Sequence, residues 1–177
     1  MAPTAAIIDA QSVRASDWVP RASKGYDAAK KIHGRKRHIA VDTKGCCWTS
    51  WSPGQCARPR RWPAATVAPA TRPATIRLVW ADAGYAGKLV TWAAQVLTLT
   101  LQIVRKRPGA HRFEVLPRRW VVERTFSWLG KCRRLAIDYG RKPEHAQAWV
   151  QWAMVRLMVK RLAQQAPLPT RALSLAA

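Results

Sequence analysis

Two spacings of hydrophobic residues divide the chain into strands and helices. Residues 5–13, AAIIDAQSV, form a short apolar run that predicts a first strand, and a basic stretch at 25–45 predicts a second. Apolar runs at 76–81 and 98–104 predict two further strands, and the spacing between them predicts a helix at 88–97. Strands that alternate with helices in this way indicate an α/β fold.

The second half of the chain changes to helical spacing. Residues 116–130, LPRRWVVERTFSWLG, place Pro117 where it suits a first helical turn and have no helix-breaking residue before Gly130. A last amphipathic helix is predicted at 144–165, followed by a tail at 167–177 that we expect to be disordered. The apolar side chains on one face of that helix predict its core side: Ala146, Trp149, Val150, Ala153, Met154, Leu157 and Leu162.

Residues 46–74 continue neither pattern. The segment contains five of the 12 Pro, three of the 10 Trp and three of the four Cys, and it has no Leu, Ile, Met, Phe or acidic residue. It follows neither a strand period nor a helix period, and its prolines would interrupt both. We therefore expect an irregular segment at 46–74.

The genetic code offers an explanation for this segment. When the codons of residues 46–52 are regrouped one nucleotide early, they encode a peptide of the Leu-Leu-Asp-Val type, which favours a strand. Our hypothesis is that 46–74 is translated out of frame between two compensating insertions or deletions, with the frame restored near Thr75. The alternative is a Pro- and Trp-rich loop in the correct frame.

The charge of the chain points to an anionic partner. Lys and Arg number 31 against 9 Asp and Glu, which gives a net charge of +22. Nucleic acid is the obvious partner, and an anionic membrane surface or solubility alone are the alternatives. No apolar stretch reaches the roughly 18 residues of a membrane helix, and the first residues do not form a signal peptide. We expect a cytoplasmic protein that binds nucleic acid, and the spacing of its Cys predicts neither a zinc site nor a disulfide framework.

Basic side chains cluster where they suit phosphate contacts. A run of charge is usually a solvated face, but here the excess has one sign, so both interpretations stay open. The candidates for DNA contact are Lys30, Lys31, Arg35, Lys36, Arg37, Arg105, Lys106, Arg118, Arg119 and Arg124.

Three acidic residues stand out against this basic background. Asp9 lies within the first apolar run, where a buried carboxylate needs a partner or a metal. Asp82 follows a predicted strand and precedes a glycine-containing turn, the place where α/β folds carry reactive groups. Glu123 lies at the edge of the apolar stripe of its helix. Taken singly, each has an ordinary interpretation: a turn or terminal Asp, or an exposed Glu paired with Arg119 or Arg124.

Together the three acids predict a metal site. Three carboxylates in a strongly basic protein are explained if divalent cations neutralise them, and Mg²⁺ selects oxygen ligands. Two such ions held about 4 Å apart activate a water or a 3′-hydroxyl in phosphodiester cleavage. The hypothesis requires a fold that unites Asp9, Asp82 and Glu123.

The segments around these acids also resemble a known family, the DDE transposases of bacterial insertion sequences. The matching sequences are IIDAQSV, GYDAAKKIHGRKRHIAVDTKG, IRLVWADAGYAGKLV and LPRRWVVERTFSWLGKCRRLAIDYGRKPE. The resemblance implies an RNase H-like mixed sheet flanked by helices over residues 1–166, with Asp9, Asp82 and Glu123 as the catalytic and metal-binding triad. It also implies DNA strand cleavage and transfer, with Mg²⁺ or Mn²⁺, at transposon ends and target DNA. A nucleoid-associated location in a bacterium and a homodimer are in keeping with it.

Two departures from the family pattern count against activity. The family carries a helical region before the first Asp, and almost nothing precedes Asp9 here. It also has a strand of the Leu-Leu-Leu-Asp-Val-Val-Val type where this chain has 46–74, so we expect the second strand to keep an unpaired edge. These departures predict a truncated remnant whose activity stays open. The alternatives are a basic nucleic-acid-binding protein without catalysis and a remnant that does not fold.

Overall fold

The computed structural model of the protein describes residues 2–52, 74–105 and 119–165, with only the backbone of 48–52 and of Gln165. The strands in these ranges are β1 (Ala5–Arg14), β2 (Gly25–Asp27), β3 (Ile32–Asp42), β4 (Cys47–Ser52), β5 (Leu78–Ala81) and β6 (Thr100–Ile103). The helices are α1 (Lys88–Leu97), α2 (Trp120–Gly130), α3 (Arg133–Ala136) and α4 (Pro143–Gln165), and short 3₁₀ turns lie at Arg21–Ser23 and Ala83–Tyr85. None of the helices in the described ranges has the length and apolar composition that a bilayer crossing needs.

The six strands form one mixed sheet. Their order is β2-β3-β1-β5-β6, and β4 pairs with β3 on the edge that β2 also uses. β1 runs antiparallel to β3 and parallel to β5, and β5 runs parallel to β6. The sheet and its flanking helices confirm the α/β architecture predicted from the sequence, and they are consistent with an RNase H-like fold.

Helices cover both faces of this sheet, because successive residues of a strand point to opposite sides. Ile8 belongs to the core that α1 covers, whereas its neighbour Ile7 belongs to the core beneath α2. A third cluster, which includes Leu129 and Val150, joins α2 to α3 and α4. These contacts hold α2 against the centre of the sheet, and α2 is the helix that carries Glu123.

Residues 47–52 correct the expectation that 46–74 would be irregular throughout. They form β4, which pairs antiparallel with β3 from Val41↔Cys47 to Lys36↔Ser52. The predicted unpaired edge of β3 is therefore wrong. The backbone groups along that edge accept a strand of almost any sequence, and the Trp and Thr of 47–52 have high strand propensity in any case. The rest of the segment, 53–73, and the tail at 167–177 lie outside the described residues.

α4 confirms the last predicted helix but corrects part of its predicted core side. Val150 and Met154 are buried, whereas Trp149 and Leu162 are 46% and 66% exposed. The helix packs across β4 and the end of α2 with only one stripe of its surface. An apolar period in the sequence shows that such a stripe exists, but the packing partners decide how wide it is.

Arg35 ties β3 to the connection between α3 and α4. Its side chain is fully buried, and Nη1 donates to Asp138 Oδ2 at 2.9 Å and to the Gly140 carbonyl at 2.7 Å. Its Nε donates to the Ser23 carbonyl at 3.0 Å, and Nη2 donates to the Arg141 carbonyl at 2.9 Å. A buried guanidinium is tolerated only with partners of this kind. Arg35 is therefore a structural residue.

We expect Arg35→Met to lower the free energy of unfolding by about 3–5 kcal/mol, because the change leaves the carboxylate of Asp138 buried without its cation. Urea unfolding measures the loss. Lys30→Met is the matched control, since Lys30 is exposed and the same change there removes no buried partner. Equal stability of the two variants would contradict the structural role of Arg35.

Candidate active site

The pairing of β1 with β5 brings Asp9 and Asp82 together. The two strands are parallel neighbours, and Ala5 lies opposite Leu78 while Ile7 lies opposite Trp80. The same register, continued by two residues, sets Asp9 across from Asp82. The two acids therefore lie side by side where β5 ends, although they are far apart in sequence.

Asp82 is fixed by the turn that follows β5. The strand ends at Ala81, and Asp82 caps the 3₁₀ turn Ala83–Tyr85 by accepting a hydrogen bond from the Gly84 N–H at 2.9 Å through Oδ1. A Cβ at Gly84 would lie only 3.0 Å from that oxygen, so the glycine allows the close approach. Oδ1 holds the turn, and the orientation of the carboxylate is set before any ligand binds.

Asp9 is held by two hydrogen bonds in a largely buried position. Oδ1 accepts from the Ala10 N–H at 2.7 Å, and Oδ2 accepts from Arg119 Nη2 at 2.8 Å. Burial raises the pKa of Asp9, the Arg119 charge opposes this shift, and the nearby Asp82 carboxylate adds to it. The ionised carboxylate thus lies at a desolvated position that favours additional positive charge.

Arg119 connects the two strand acids to Glu123. It immediately precedes α2, and Glu123 lies one turn further on, exposed in the first turn of that helix. Burial disfavours the charged form of Arg119, but the carboxylates of Asp9, Asp82 and Glu123 outweigh it and raise the pKa of Arg119. Asp9 contacts the guanidinium directly, and Asp82 and Glu123 lie near enough for their charges to act on it. For Glu123, the signal in the sequence was its spacing of four residues from Arg119.

A buried His–Tyr pair, which no sequence pattern indicated, lies next to the two strand acids. His38 on β3 and Tyr85 are joined by a hydrogen bond of 2.8 Å between Nδ1 and the phenolic oxygen. Burial lowers the pKa of His38 to about 4, so the imidazole is neutral at physiological pH. Burial and the charges of Asp9 and Asp82 raise the pKa of Tyr85, which keeps its proton. The pair fixes the turn that carries Asp82.

The predicted DNA contacts divide into exposed and buried side chains. Lys30, Lys31 and Arg105 are exposed, and Lys36 is partly buried with its Nζ 3.8 Å from Asp27 Oδ2. Arg124 lies over the rings of Trp120 and Trp128, at 4.2 and 4.6 Å from their centroids. Lys106 and Arg118 lie outside the described residues.

Arg35 and Arg37 correct the prediction of DNA contact at those two positions. Both are almost completely buried. Arg37 donates to the Leu135 carbonyl at 3.2 Å and to Gln11 Oε1 at 3.3 Å, and although burial lowers its pKa to about 10 it remains charged. Successive residues of a strand point to opposite faces of the sheet. Because residues 35–37 are all basic, the sequence does not show which of them point inward. These two arginines face the fold.

The carboxylates at the edge of β1 and β5 fit a divalent cation. Asp9 and Asp82 carry hard oxygen donors, Asp9 is largely desolvated, and a cation there would replace the charge that Arg119 now supplies. Within the described residues, no group of three or more His, Cys, Asp or Glu side chains lies close enough to hold one ion. Asp9 and Asp82 are thus two candidate ligands rather than a complete site, and Glu123 shares Arg119 with them electrostatically.

A mixed sheet with one acid within β1, a second just after the neighbouring parallel strand β5 and a third on α2 is consistent with the RNase H-like class. The family model described as Transposase DDE domain matches residues 1–158, and the chain belongs to this family. A search of curated proteins finds no significant match. The family match confirms the resemblance found in the sequence and identifies a transposase domain, for which DNA is the substrate.

We expect millimolar Mg²⁺ or Mn²⁺ to raise the melting temperature of the protein by about 2–4 °C, the shift that about 1 kcal/mol of binding gives in a chain of this size. Asp9→Asn removes a carboxylate ligand of the proposed cation and should abolish the shift in melting temperature. Arg119→Ala removes the competing guanidinium and should enlarge it. Differential scanning fluorimetry measures all three proteins.

Asp17→Asn serves as the matched control, because Asp17 is exposed. This substitution should leave the metal-dependent shift in melting temperature unchanged. A shift that survives in Asp9→Asn would show that the cation binds elsewhere on the chain.

Proposed function

We propose that this protein is a transposase whose catalytic residues are Asp9, Asp82 and Glu123, and that it cleaves and joins DNA strands at the ends of its element with Mg²⁺ or Mn²⁺. The observation that carries the proposal is the register of β1 and β5. It sets Asp9 across from Asp82, and Arg119 links this pair electrostatically to Glu123.

Each residue has a distinct part in this proposal. Asp9 and Asp82 would hold a divalent cation, and Glu123 would complete the site from α2. When bound, the cation supplies Lewis-acid chemistry toward a phosphodiester and its attacking oxygen. Arg119 neutralises Asp9 in the free protein. Arg119 would also be available to a phosphate held at these carboxylates, because a guanidinium binds a phosphate with two parallel hydrogen bonds.

Exposed basic side chains support DNA as the substrate. The chain carries a net charge of +22, and Lys30, Lys31 and Arg105 are exposed. On α2, the guanidinium of Arg124 is stacked between Trp120 and Trp128, beside Glu123. An Arg held in this way keeps its charge at a fixed position, which suits a phosphate next to the cleavage site.

β4 bears on whether this copy is active. The expectation of a damaged remnant depended partly on an unpaired edge of β3, and that edge is paired by Cys47–Ser52. We retain the out-of-frame origin of 46–74 as a proposal that sequencing of the coding DNA tests. A chain with this origin can still complete the sheet, because strand pairing uses backbone groups that every residue supplies.

A basic nucleic-acid-binding protein without catalysis is the second candidate function. The observation in its favour is the ion pair between Arg119 and Asp9, which occupies one carboxylate that the reaction needs. This function would use the exposed basic side chains alone. Its DNA binding would not depend on divalent cations and would weaken steeply with salt.

We expect Asp82→Asn to lower Mg²⁺-dependent nicking of a DNA duplex by at least about a hundredfold, since loss even of an outer partner of a metal ligand costs about 10 to 100-fold. Binding of the same duplex should be unchanged or tighter, because the variant removes a negative charge near the phosphates. Gel assays of nicking and fluorescence anisotropy of binding measure the two effects.

Asp17→Asn is again the control. Nicking that survives in Asp82→Asn would refute the assignment, and duplex binding without nicking in the unaltered protein would favour the second candidate.

A further inference from the structure

A cavity of about 280 Å³ lies away from the three acids, between the connection of α3 to α4 and the first turns of α4. This volume is just below the lower end of about 300 Å³ for pockets that enclose small molecules. It is too small for a duplex and suits a single flat ring with a charged group attached. The side chains that give the cavity its chemistry are Arg37, Arg134, Tyr139, Arg141, His145 and Trp149.

The charge of the cavity favours an anion. Arg37, Arg134 and Arg141 line it, and the single acid among its lining residues is Asp138. Asp138 is already neutralised, because Arg35 donates to its Oδ2 at 2.9 Å and the Gly140 N–H donates to its Oδ1 at 2.9 Å. The remaining potential is positive, which suits a phosphate group.

Two aromatic rings at the cavity are open to solvent. Tyr139 is 42% exposed and Trp149 is 46% exposed, although both are large and apolar. The guanidinium of Arg134 lies 5.3 Å from the ring centroid of each, so it bridges the two rings. Exposed aromatic faces combined with arginine are the surface on which proteins stack unpaired nucleic-acid bases.

The cavity lies within reach of the strand that carries Asp9. The Asp138 N–H donates to the Arg14 carbonyl at 2.8 Å, and the Ser16 N–H donates to the Asp138 carbonyl at 2.9 Å. Arg14 is the last residue of β1, and Asp9 is five residues earlier. At about 3.3 Å per residue the two are roughly 17 Å apart, which is about five nucleotide steps along DNA.

We propose that this cavity binds one unpaired nucleotide of the DNA held at the active site. The base stacks on Trp149 and Tyr139, and Arg134 and Arg141 contact its phosphate. A paired base is stacked on its neighbours and presents no free face, so only an extruded or single-stranded nucleotide fits. The assignment rests on the proposed function in that it takes DNA as the substrate.

The test compares a fully paired duplex with the same duplex carrying one unpaired 2-aminopurine nucleotide. We expect the unaltered protein to bind the second DNA about tenfold more tightly, a gain typical of stacking one base. The fluorescence of the 2-aminopurine should fall on binding as the base stacks. Trp149→Ala and Arg134→Gln should each bring the two affinities to within about twofold of one another while leaving the paired duplex unaffected.

Trp152→Ala is the matched control, because Trp152 is on the same helix, is 68% exposed and does not line the cavity. It should keep the tenfold preference. Tyr139→Ala provides a third variant, and circular dichroism with thermal melting shows that each variant is folded.

The outcomes separate the two proposals. A preference for the unpaired nucleotide that persists in Trp149→Ala and Arg134→Gln, or that is lost equally in Trp152→Ala, would overturn the cavity assignment. Equal binding of both duplexes by the unaltered protein would overturn it too, while leaving DNA as the substrate. Competition by free deoxyadenosine monophosphate as strong as that of the unpaired DNA would assign the cavity to a free nucleotide instead. Absence of all duplex binding would refute the proposed function itself.

Discussion

The parallel pairing of β1 and β5 is the constraint on which the site depends. Ile7 lies opposite Trp80, and this register, continued by two residues, sets the two acids side by side. A slip of one residue would turn one of the two acids to the opposite face, because side chains alternate along a strand. The cores on both faces oppose such a slip, since Ile7 and Ile8 are each fully buried against a different helix. The packing of the apolar neighbours of Asp9 therefore decides which carboxylates meet.

The arginines of this chain serve two separate purposes. Arg35 and Arg37 are buried in β3. Arg35 donates to carbonyls of the segment between α3 and α4, and Arg37 donates to a carbonyl of α3, so the two hold this part of the chain against the sheet. Arg119 and Arg124 lie at the start of α2, one on Asp9 and the other between two Trp rings. A high positive charge is commonly attributed to nucleic-acid contact alone. Here part of it stabilises the fold that places the remaining cations near the site.

The sequence predicted features that depend on local pattern. α1 occupies the residues that its period indicated, and Asp82 follows a strand and caps a turn as its neighbours Gly84 and Gly87 suggested. Features that depend on tertiary contacts were missed. β4 exists because the edge of β3 offers unpaired backbone groups, and no period in Cys47–Ser52 shows this. The burial of Arg35 likewise follows from Asp138, a residue more than 100 positions away. A charged side chain in a basic run gives no sign of a distant partner.

We infer that one divalent cation is bound where β1, β5 and the start of α2 meet. Replacing Mg²⁺ by Fe²⁺ in the presence of ascorbate tests it most directly, because hydroxyl radicals formed at the bound ion cut the backbone beside it. Mass spectrometry of the fragments then locates the ion on the chain. We expect cuts close to Asp9, to Asp82 and to the turn from Arg119 to Glu123 in the same experiment. These cuts should disappear when Mg²⁺ is added in excess. Cuts confined to other segments, or cuts that excess Mg²⁺ does not suppress, would contradict it.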